Sequence, residues 1–143
     1  MQTFEEIANL FKEQSQDISS TQTSNRKILL IDDNREIQNS FFEILKSEYD
    51  LISCYNWKDV EDKITQDIGL IILDIKMSDY DGITIFNRVK QKLPNSKIIF
   101  NSAYPGDDKE AKKIENLNHN GYLTKGNYSI TELKNIIKKI LVA

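Results

Sequence analysis

Short apolar runs and amphipathic segments alternate along the chain from Arg26 onward. The apolar runs predict strands at about 27–32, 50–54, 69–74, 97–101 and 121–124. Between them, apolar residues at helical spacing predict helices at about 35–48, 57–66, 83–92, 107–118 and 130–142. The third and fourth strands are continuous Ile-rich runs, which is typical of parallel strands covered on both faces. The pattern therefore predicts an α/β fold with a doubly wound, five-stranded parallel sheet.

Residues 1–25 follow a different pattern, so we expect a helix and polar linker at 1–25 that are separate from a compact domain at 26–143. Four apolar residues at helical spacing predict a short amphipathic helix: Phe4, Ile7, Leu10 and Phe11. The stretch 14–25 is polar, as in a flexible linker. The helix would pack on the domain surface, or it would serve in homodimerisation or partner docking. A boundary with a larger protein is a further alternative, and the sequence leaves these open.

Composition and charge exclude several classes of protein. The net charge of −3 gives no electrostatic footprint for direct nucleic-acid binding. No apolar run approaches the roughly 20 residues that span a membrane, and the N-terminus lacks the pattern of a signal peptide. Cys54 is the single cysteine, so neither an internal disulfide nor a cysteine metal site is expected. We therefore expect a cytoplasmic protein without membrane insertion.

Chemically active side chains follow the predicted strands. Asp32 and Asp33 come at the end of the first strand, Asp74 ends the third, Ser102 follows the fourth, and Lys125 follows the fifth. Parallel strands present their carboxyl ends at one edge, where open α/β sheets bind ligands. A cluster of three carboxylates is costly unless a cation relieves the repulsion. Oxygen ligands suit Mg²⁺, or Mn²⁺ as the alternative.

The same residues suit phosphoryl transfer, which requires positioning and charge stabilisation. Asp74 would be the nucleophile and would become an aspartyl phosphate. Lys125 would pair with the phosphoryl oxygens, and Ser102 would donate its hydroxyl to another of them. Asp32, Asp33 and Asp74 would hold the metal ion.

In these residues the chain resembles the receiver domains of response regulators, the CheY-like domains of two-component signalling and phosphorelays. The resemblance covers about 26–143: the acidic pair falls on Asp32 and Asp33, and the phosphoacceptor falls on Asp74. The hydroxyl residue falls on Ser102, followed by Ala, and the lysine falls on Lys125. The resemblance implies a flavodoxin-like (βα)5 receiver fold.

Further roles come from the resemblance alone. It implies that Tyr122 is a switch aromatic acting with Ser102, and that the backbone carbonyl of Lys76 is a metal ligand. It also implies that Lys76 and Tyr104 flank the water path and tune hydrolysis of the aspartyl phosphate. Because both side chains are large, we expect a slowly decaying phosphoryl group.

Two prolines typical of the family are replaced. Ser78 stands in the segment after the phosphoacceptor, and Gly126 follows the lysine. The family's Lys–Pro bond is typically cis, whereas a Lys125–Gly126 bond should be trans. We therefore expect the loop that carries Lys125 to differ from the family's.

The implied partner upstream is a histidine kinase or a histidine phosphotransfer protein. Downstream, a protein would bind the face built by the fourth helix, the fifth strand and the fifth helix. With no output domain after Ala143, the sequence predicts a stand-alone receiver. It would not be an enzyme, although it would catalyse its own phosphorylation and dephosphorylation.

Two other functions are compatible with parts of the sequence. An aspartate-dependent phosphohydrolase would carry Asp-x-Asp after its first strand, whereas this chain has Asp32-Asp33-Asn34 and no cap domain. A receiver-shaped scaffold that needs no phosphate is the second alternative, which the two lost prolines favour and the intact acidic set opposes.

Overall fold

The computed structural model describes residues 26–103 and 108–142, in which strands and helices alternate. The strands are β1 Lys27–Ile31, β2 Asp50–Cys54, β3 Ile68–Leu73, β4 Ile98–Ser102 and β5 Gly121–Thr124. The helices are α1 Arg35–Leu45, α2 Trp57–Lys63, α3 Gly82–Lys92, α4 Asp108–Glu115 and α5 Ile130–Val142. The predicted helix within residues 1–25 and the tuning residue Tyr104 lie outside the described residues.

All five strands are parallel, in the order β2-β1-β3-β4-β5. This arrangement confirms the predicted doubly wound sheet. Strand order reverses at β1, which lies between β2 and β3, and ligands bind beyond the carboxyl ends of the strands at such a point. β1 and β3 pair in register, with Leu29 opposite Ile71 and Ile31 opposite Leu73.

Two hydrophobic cores cover the two faces of the sheet, because successive side chains of a strand point to opposite faces. Under α2, α3 and α4, one core includes Leu29, Ile71, Phe100, Val60 and Phe86. Under α1 and α5, the other includes Ile28, Ile72, Ile99, Phe41 and Ile137. Burial on both faces explains why β3 and β4 are continuous apolar runs rather than alternating ones.

Three helices are shorter than the predicted ranges. α1 ends at Leu45, whose carbonyl accepts bonds from the N–H groups of Glu48 and Tyr49 as the chain turns into β2. α2 ends at Lys63, where Ile64 becomes extended and packs against the core. α4 covers only residues 108–115 of the predicted 107–118. Helical periodicity continued into these turns because their apolar residues pack on the same core.

Polar side chains cap the starts of several helices, among them those of α1, α3 and α5. The side chain of Asn34 accepts bonds from the N–H groups of Glu36 and Ile37, as predicted for the start of α1. Asp81 caps α3 through the N–H of Thr84. Ser129 caps α5, since its Oγ accepts from the N–H of Glu132. These caps fix where the chain leaves the edge that carries the predicted site.

Candidate functional site

The sheet brings two buried carboxylates together at neighbouring strand ends. Asp32 directly follows β1 and Asp74 directly follows β3, and their exposed fractions are 5% and 6%. The N–H of Asp74 donates to the carbonyl of Ile31 at 2.9 Å, and that of Asp32 donates to the carbonyl of Cys54 at 3.0 Å. These bonds continue the sheet ladder past the strand ends and hold both acids at the cleft.

Asp33 completes an acidic cluster at the surface. Its side chain is exposed, and its Oδ2 accepts a bond from the N–H of Ser78 at 3.0 Å. One carboxylate oxygen from each of Asp32, Asp33 and Asp74 lies within 4.8 Å of the others. The donor set of three carboxylate oxygens, two of them from buried side chains, suits a small hard divalent cation such as Mg²⁺. All three predicted carboxylate ligands therefore meet in one place.

Lys125 reaches the same cluster from the loop after β5. Its Nζ lies 2.8 Å from Oδ2 of Asp32 and 3.5 Å from Oδ1 of Asp74. The Lys125 side chain is 16% exposed, so this cation is largely withdrawn from solvent. An uncompensated buried carboxylate pair would be costly, and Lys125 offsets part of that repulsion.

The carboxyl group of Asp74 has a perturbed acidity. Burial, and next the negative charge of Asp32, raise the pKa of Asp74 to about 6 from an ordinary value of 3.8. Lys125 and the backbone N–H of Lys76 act in the opposite direction. At neutral pH the group is still mostly ionised, but it is a stronger base than an exposed aspartate. Perturbed acidity of this kind is typical of functional carboxylates.

The predicted hydroxyl residue and the predicted switch aromatic occupy the adjacent strands β4 and β5. Ser102 is the last residue of β4, 3% exposed, and it pairs in register with Thr124. Tyr122 lies on β5 opposite Phe100, and their ring centroids are 6.4 Å apart. The ring of Tyr122 is half-buried against the core. Both residues thus lie along the path from the acidic cluster to the outer strand.

Lys76 lies in the loop after β3 and is exposed. It forms an isolated antiparallel bridge with Asp81, the capping residue of α3. A hydrogen bond from its backbone N–H to the Asp74 carboxylate lowers the pKa of that group. The bridge holds the loop against the start of α3.

Gly82 allows the start of α3 to approach the chain beneath the predicted phosphoacceptor. Its N–H donates to the carbonyl of Ile75 at 2.6 Å. A Cβ at this position would lie 2.5 Å from the carbonyl oxygen of Asp74 and 2.6 Å from the Cα of Ile75. Only a glycine fits there, so this residue fixes the backbone that carries Asp74.

The turn after Lys125 confirms the prediction of a trans bond. The Lys125–Gly126 peptide is trans, and Gly126 has φ +77°. The N–H of Asn127 donates to the carbonyl of Thr124 at 3.0 Å, which closes a four-residue turn around Lys125 and Gly126. Positive φ at the third position of such a turn favours glycine. Proline could not adopt this conformation, because its ring holds φ near −65°.

Three polar residues next to the cluster were not singled out from the sequence. Gln38 is 1% exposed, and its Nε2 lies within 3.2 Å of the carbonyls of Leu30, Asp32 and Cys54. The hydroxyl of Tyr128 donates to Oδ1 of Asn101 at 3.0 Å. For Gln38 a signal was available, because it shares the inward face of α1 with Phe41 and Leu45. For the Asn101–Tyr128 pair no sequence signal exists, since the contact joins a strand end to a loop 27 residues later.

Within residues 26–103 and 108–142, no helix is both long enough and apolar enough to cross a membrane.

Comparison with known proteins identifies the family. The model of the response regulator receiver domain matches residues 28–138. Sporulation initiation phosphotransferase F of Bacillus subtilis is 31% identical over 121 residues, covering 82% of this chain and 94% of that protein. The transcriptional regulatory protein CssR of Bacillus subtilis is 31% identical over 99 residues, covering 68% of this chain but only 44% of that protein. The chain belongs to the response regulator receiver domain family.

The fold agrees with solved structures of such domains. A CheY-like receiver domain protein from Methanospirillum hungatei JF-1 superposes with a TM-score of 0.70 at 22% identity, covering 82% of this chain and 94% of that one. Receiver domains are phosphoacceptor signalling domains rather than conventional enzymes. They generally bind Mg²⁺ in an acidic pocket and interact with histidine kinases or phosphotransfer proteins.

Proposed function

We propose that this receiver accepts a phosphoryl group from a phosphohistidine onto Asp74 and thereby switches a protein-binding face. The observation that carries the proposal is the meeting of Asp74 with Asp32, Asp33 and Lys125 at one strand edge. A carboxylate nucleophile, two further acids and a buried cation are the groups that phosphoryl transfer to aspartate requires. The phosphotransferase among the relatives, of which the chain covers 94%, supports a place in a phosphorelay.

The reaction is an exchange of bonds at phosphorus. A carboxylate oxygen of Asp74 attacks the phosphorus, the bond from phosphorus to the imidazole nitrogen breaks, and its electron pair returns to the ring. Lys125 stabilises negative charge on the phosphoryl oxygens from the position in which it now pairs with Asp32 and Asp74. The hydroxyl of Ser102 donates to another phosphoryl oxygen.

Asp32, Asp33 and Asp74 would hold Mg²⁺, with the Lys76 carbonyl as a further ligand. The ion would supply positive charge where the phosphoryl oxygens meet the cluster. Lys76 and Tyr104 would shield the aspartyl phosphate from water, so the phosphoryl group would decay slowly. Loss of the group from the domain within seconds would contradict this part of the proposal.

The signal would leave through Ser102 and Tyr122. The phosphoryl group adds negative charge beside a buried hydroxyl, which draws Ser102 inward and lets the half-buried ring of Tyr122 follow. A groove of about 390 Å³ lies beside that strand, lined by residues 121–123 of β5 and by Ile136, Lys139 and Ile140 of α5. The helical lining of the groove comes from α5, so the groove supports β5 and α5 as part of the α4–β5–α5 surface that a downstream protein binds.

The test is intact mass after incubation with acetyl phosphate, with and without Mg²⁺. We expect a metal-dependent gain of one phosphoryl group in the wild type and none in Asp74→Asn. No gain from acetyl phosphate or from a phosphohistidine donor, combined with partner binding that Asp74→Asn retains, would overturn the proposal in favour of a phosphate-independent scaffold. Repeated turnover of a generic phosphate ester would favour a phosphohydrolase instead.

A further inference from the structure

Two polar side chains are buried beside the acidic cluster without belonging to it. Among residues 26–103 and 108–142, five polar or charged residues are buried: Asp32, Gln38, Asp74, Asn101 and Ser102. Three of them have predicted roles in the site. Gln38 joins the ends of β1 and β2 through its amide nitrogen. Asn101, which interrupts the apolar run of β4, therefore requires its own explanation.

Asn101 is the hydrogen-bond partner of Tyr128. The Tyr128 hydroxyl donates to Oδ1 of Asn101 at 3.0 Å, and Asn101 is only 2% exposed. Burying an amide in an apolar strand is costly unless its polar atoms are bonded. Burial raises the pKa of Tyr128, so the phenol remains protonated and donates at neutral pH. Asn101 lines the same small cavity as Asp32 and Asp74, so the pair lies next to the cluster.

The pair anchors the loop that carries Lys125. The loop is tied to β4 on both sides of Gly126: the N–H of Lys125 donates to the Ser102 carbonyl at 2.7 Å, and Tyr128 bonds to Asn101. Gly126 itself provides no restraint, because a Cβ there would meet nothing within 4 Å. Glycine also leaves the backbone more conformational freedom than any other residue. The restraint comes from the bond of Asn127 to Thr124 that closes the turn and from the two flanking anchors on β4.

We infer that Tyr128 and Asn101 are positioning residues for Lys125, and that their hydrogen bond restrains a loop in which Gly126 replaces the usual proline. This inference rests on the proposed phosphoacceptor function, because it deepens the role of Lys125 in that site. Neither side chain would touch the phosphoryl group. Their effect would pass through the Lys125 ammonium, which lies 2.8 Å from Asp32.

A loosened Lys125 loop would change Mg²⁺ binding in the opposite direction from general structural damage. The Lys125 ammonium pairs with the Asp32 carboxylate, which a divalent cation would also bind. Because the two cations repel each other, Lys125 opposes binding of the divalent cation. If the loop loosens, Lys125 leaves Asp32 more often, Mg²⁺ binds more tightly, and phosphoryl uptake slows. Distortion of the acidic cluster would instead weaken Mg²⁺ binding and also slow phosphoryl uptake.

The experiment compares Tyr128→Phe and Asn101→Ala with the wild type in two assays. The assays are Mg²⁺ binding by calorimetry and the rate of phosphoryl uptake from acetyl phosphate at saturating Mg²⁺. We expect a Mg²⁺ Kd lower, and an uptake rate slower, by about two- to tenfold, the range that one buried hydrogen bond allows. Tyr49→Phe is the matched control, since Tyr49 packs against the same core as Tyr128 but precedes β2, at the opposite end of the sheet.

A double-mutant cycle assigns the effect to Lys125. In a Lys125→Met background, or in Lys125→Gln if the first variant does not fold, Tyr128→Phe should change neither the Kd nor the rate further. Wild-type values in Tyr128→Phe would overturn the inference, as would weaker Mg²⁺ binding or an effect that persists without Lys125. A wild type that takes up no phosphoryl group would contradict the proposed function, while the Mg²⁺ cycle would still test the inference.

Discussion

The ammonium group of Lys125 lies 2.8 Å from Oδ2 of Asp32, closer than its 3.5 Å separation from Oδ1 of Asp74. The cation that is predicted to meet the phosphoryl group therefore pairs first with a predicted metal ligand. Asp32 is shared between an internal cation and any divalent cation that enters the cluster. Substitutions that change the charge of the cluster should therefore change its affinity for a divalent cation.

Mg²⁺ should stabilise the folded protein through Asp33. A ligand at a hundred times its Kd raises the free energy of unfolding by about 2.7 kcal/mol. Asp33→Asn keeps an oxygen that accepts the bond from the N–H of Ser78 but removes a charge, so we expect most of this gain to disappear. Thermal unfolding with and without Mg²⁺ measures it. Asp62→Asn, at an exposed acid of α2, is the control, and equal stabilisation of both variants would contradict the assignment.

Asp74→Asn should stabilise the metal-free protein at neutral pH. The pKa of Asp74 is about 6 in the folded protein, against an ordinary value of 3.8. At a pH between these two values, the carboxyl group holds a proton in the folded state and loses it on unfolding. Raising the pH through that window destabilises the wild type, and above it the penalty is constant. We expect the variant to gain about 1–3 kcal/mol at pH 7.5 and little at pH 4. Urea unfolding at both values measures this, and a gain independent of pH would refute the linkage.

Gly82→Ala should destabilise the protein and slow phosphoryl uptake. Its Cβ would lie 2.5 Å from the backbone oxygen of Asp74, and backbone cannot move aside as a flexible side chain does. Overpacking of this kind costs about 1–3 kcal/mol. Gly121→Ala is the matched control, because its Cβ would meet only a methyl group of Ile99 at 3.3 Å. Equal unfolding free energies for the two variants would show that the approach of α3 to Asp74 is not tight.

Gly126→Pro, which restores the residue usual in the family, should impair this chain. The φ of +77° is incompatible with proline, so the turn would rearrange and displace Lys125. Gly126→Ala should cost about 1–2 kcal/mol through the left-handed conformation alone. Asn tolerates this conformation better, so Gly126→Asn should remain close to wild type. Uptake from acetyl phosphate and urea unfolding rank the three, and an active, stable Gly126→Pro would contradict the turn.

Much of the fold and of the acidic cluster could be predicted from the sequence. Apolar runs that end in Asp32 and Asp74 place the two acids at one edge of the sheet, because parallel strands run in the same direction. The alternation of side chains along a strand predicts which residues face each core. Helix ends were less predictable. Periodicity continued past Leu45 and Lys63, where the chain turns but its apolar residues still pack on the core.

Local pattern and backbone chemistry are enough to predict the order of strands and helices, the acids at the strand ends and the trans bond before Gly126. Tertiary packing, in contrast, sets the distances around Lys125, the close approach of Gly82 to Asp74 and the bond from Tyr128 to Asn101. The contacts of Lys125 and Tyr128 join segments distant in sequence, and Gly82 approaches the backbone of Asp74 because α3 packs back against the end of β3. Whether such groups meet depends on how helices and loops pack against the finished sheet.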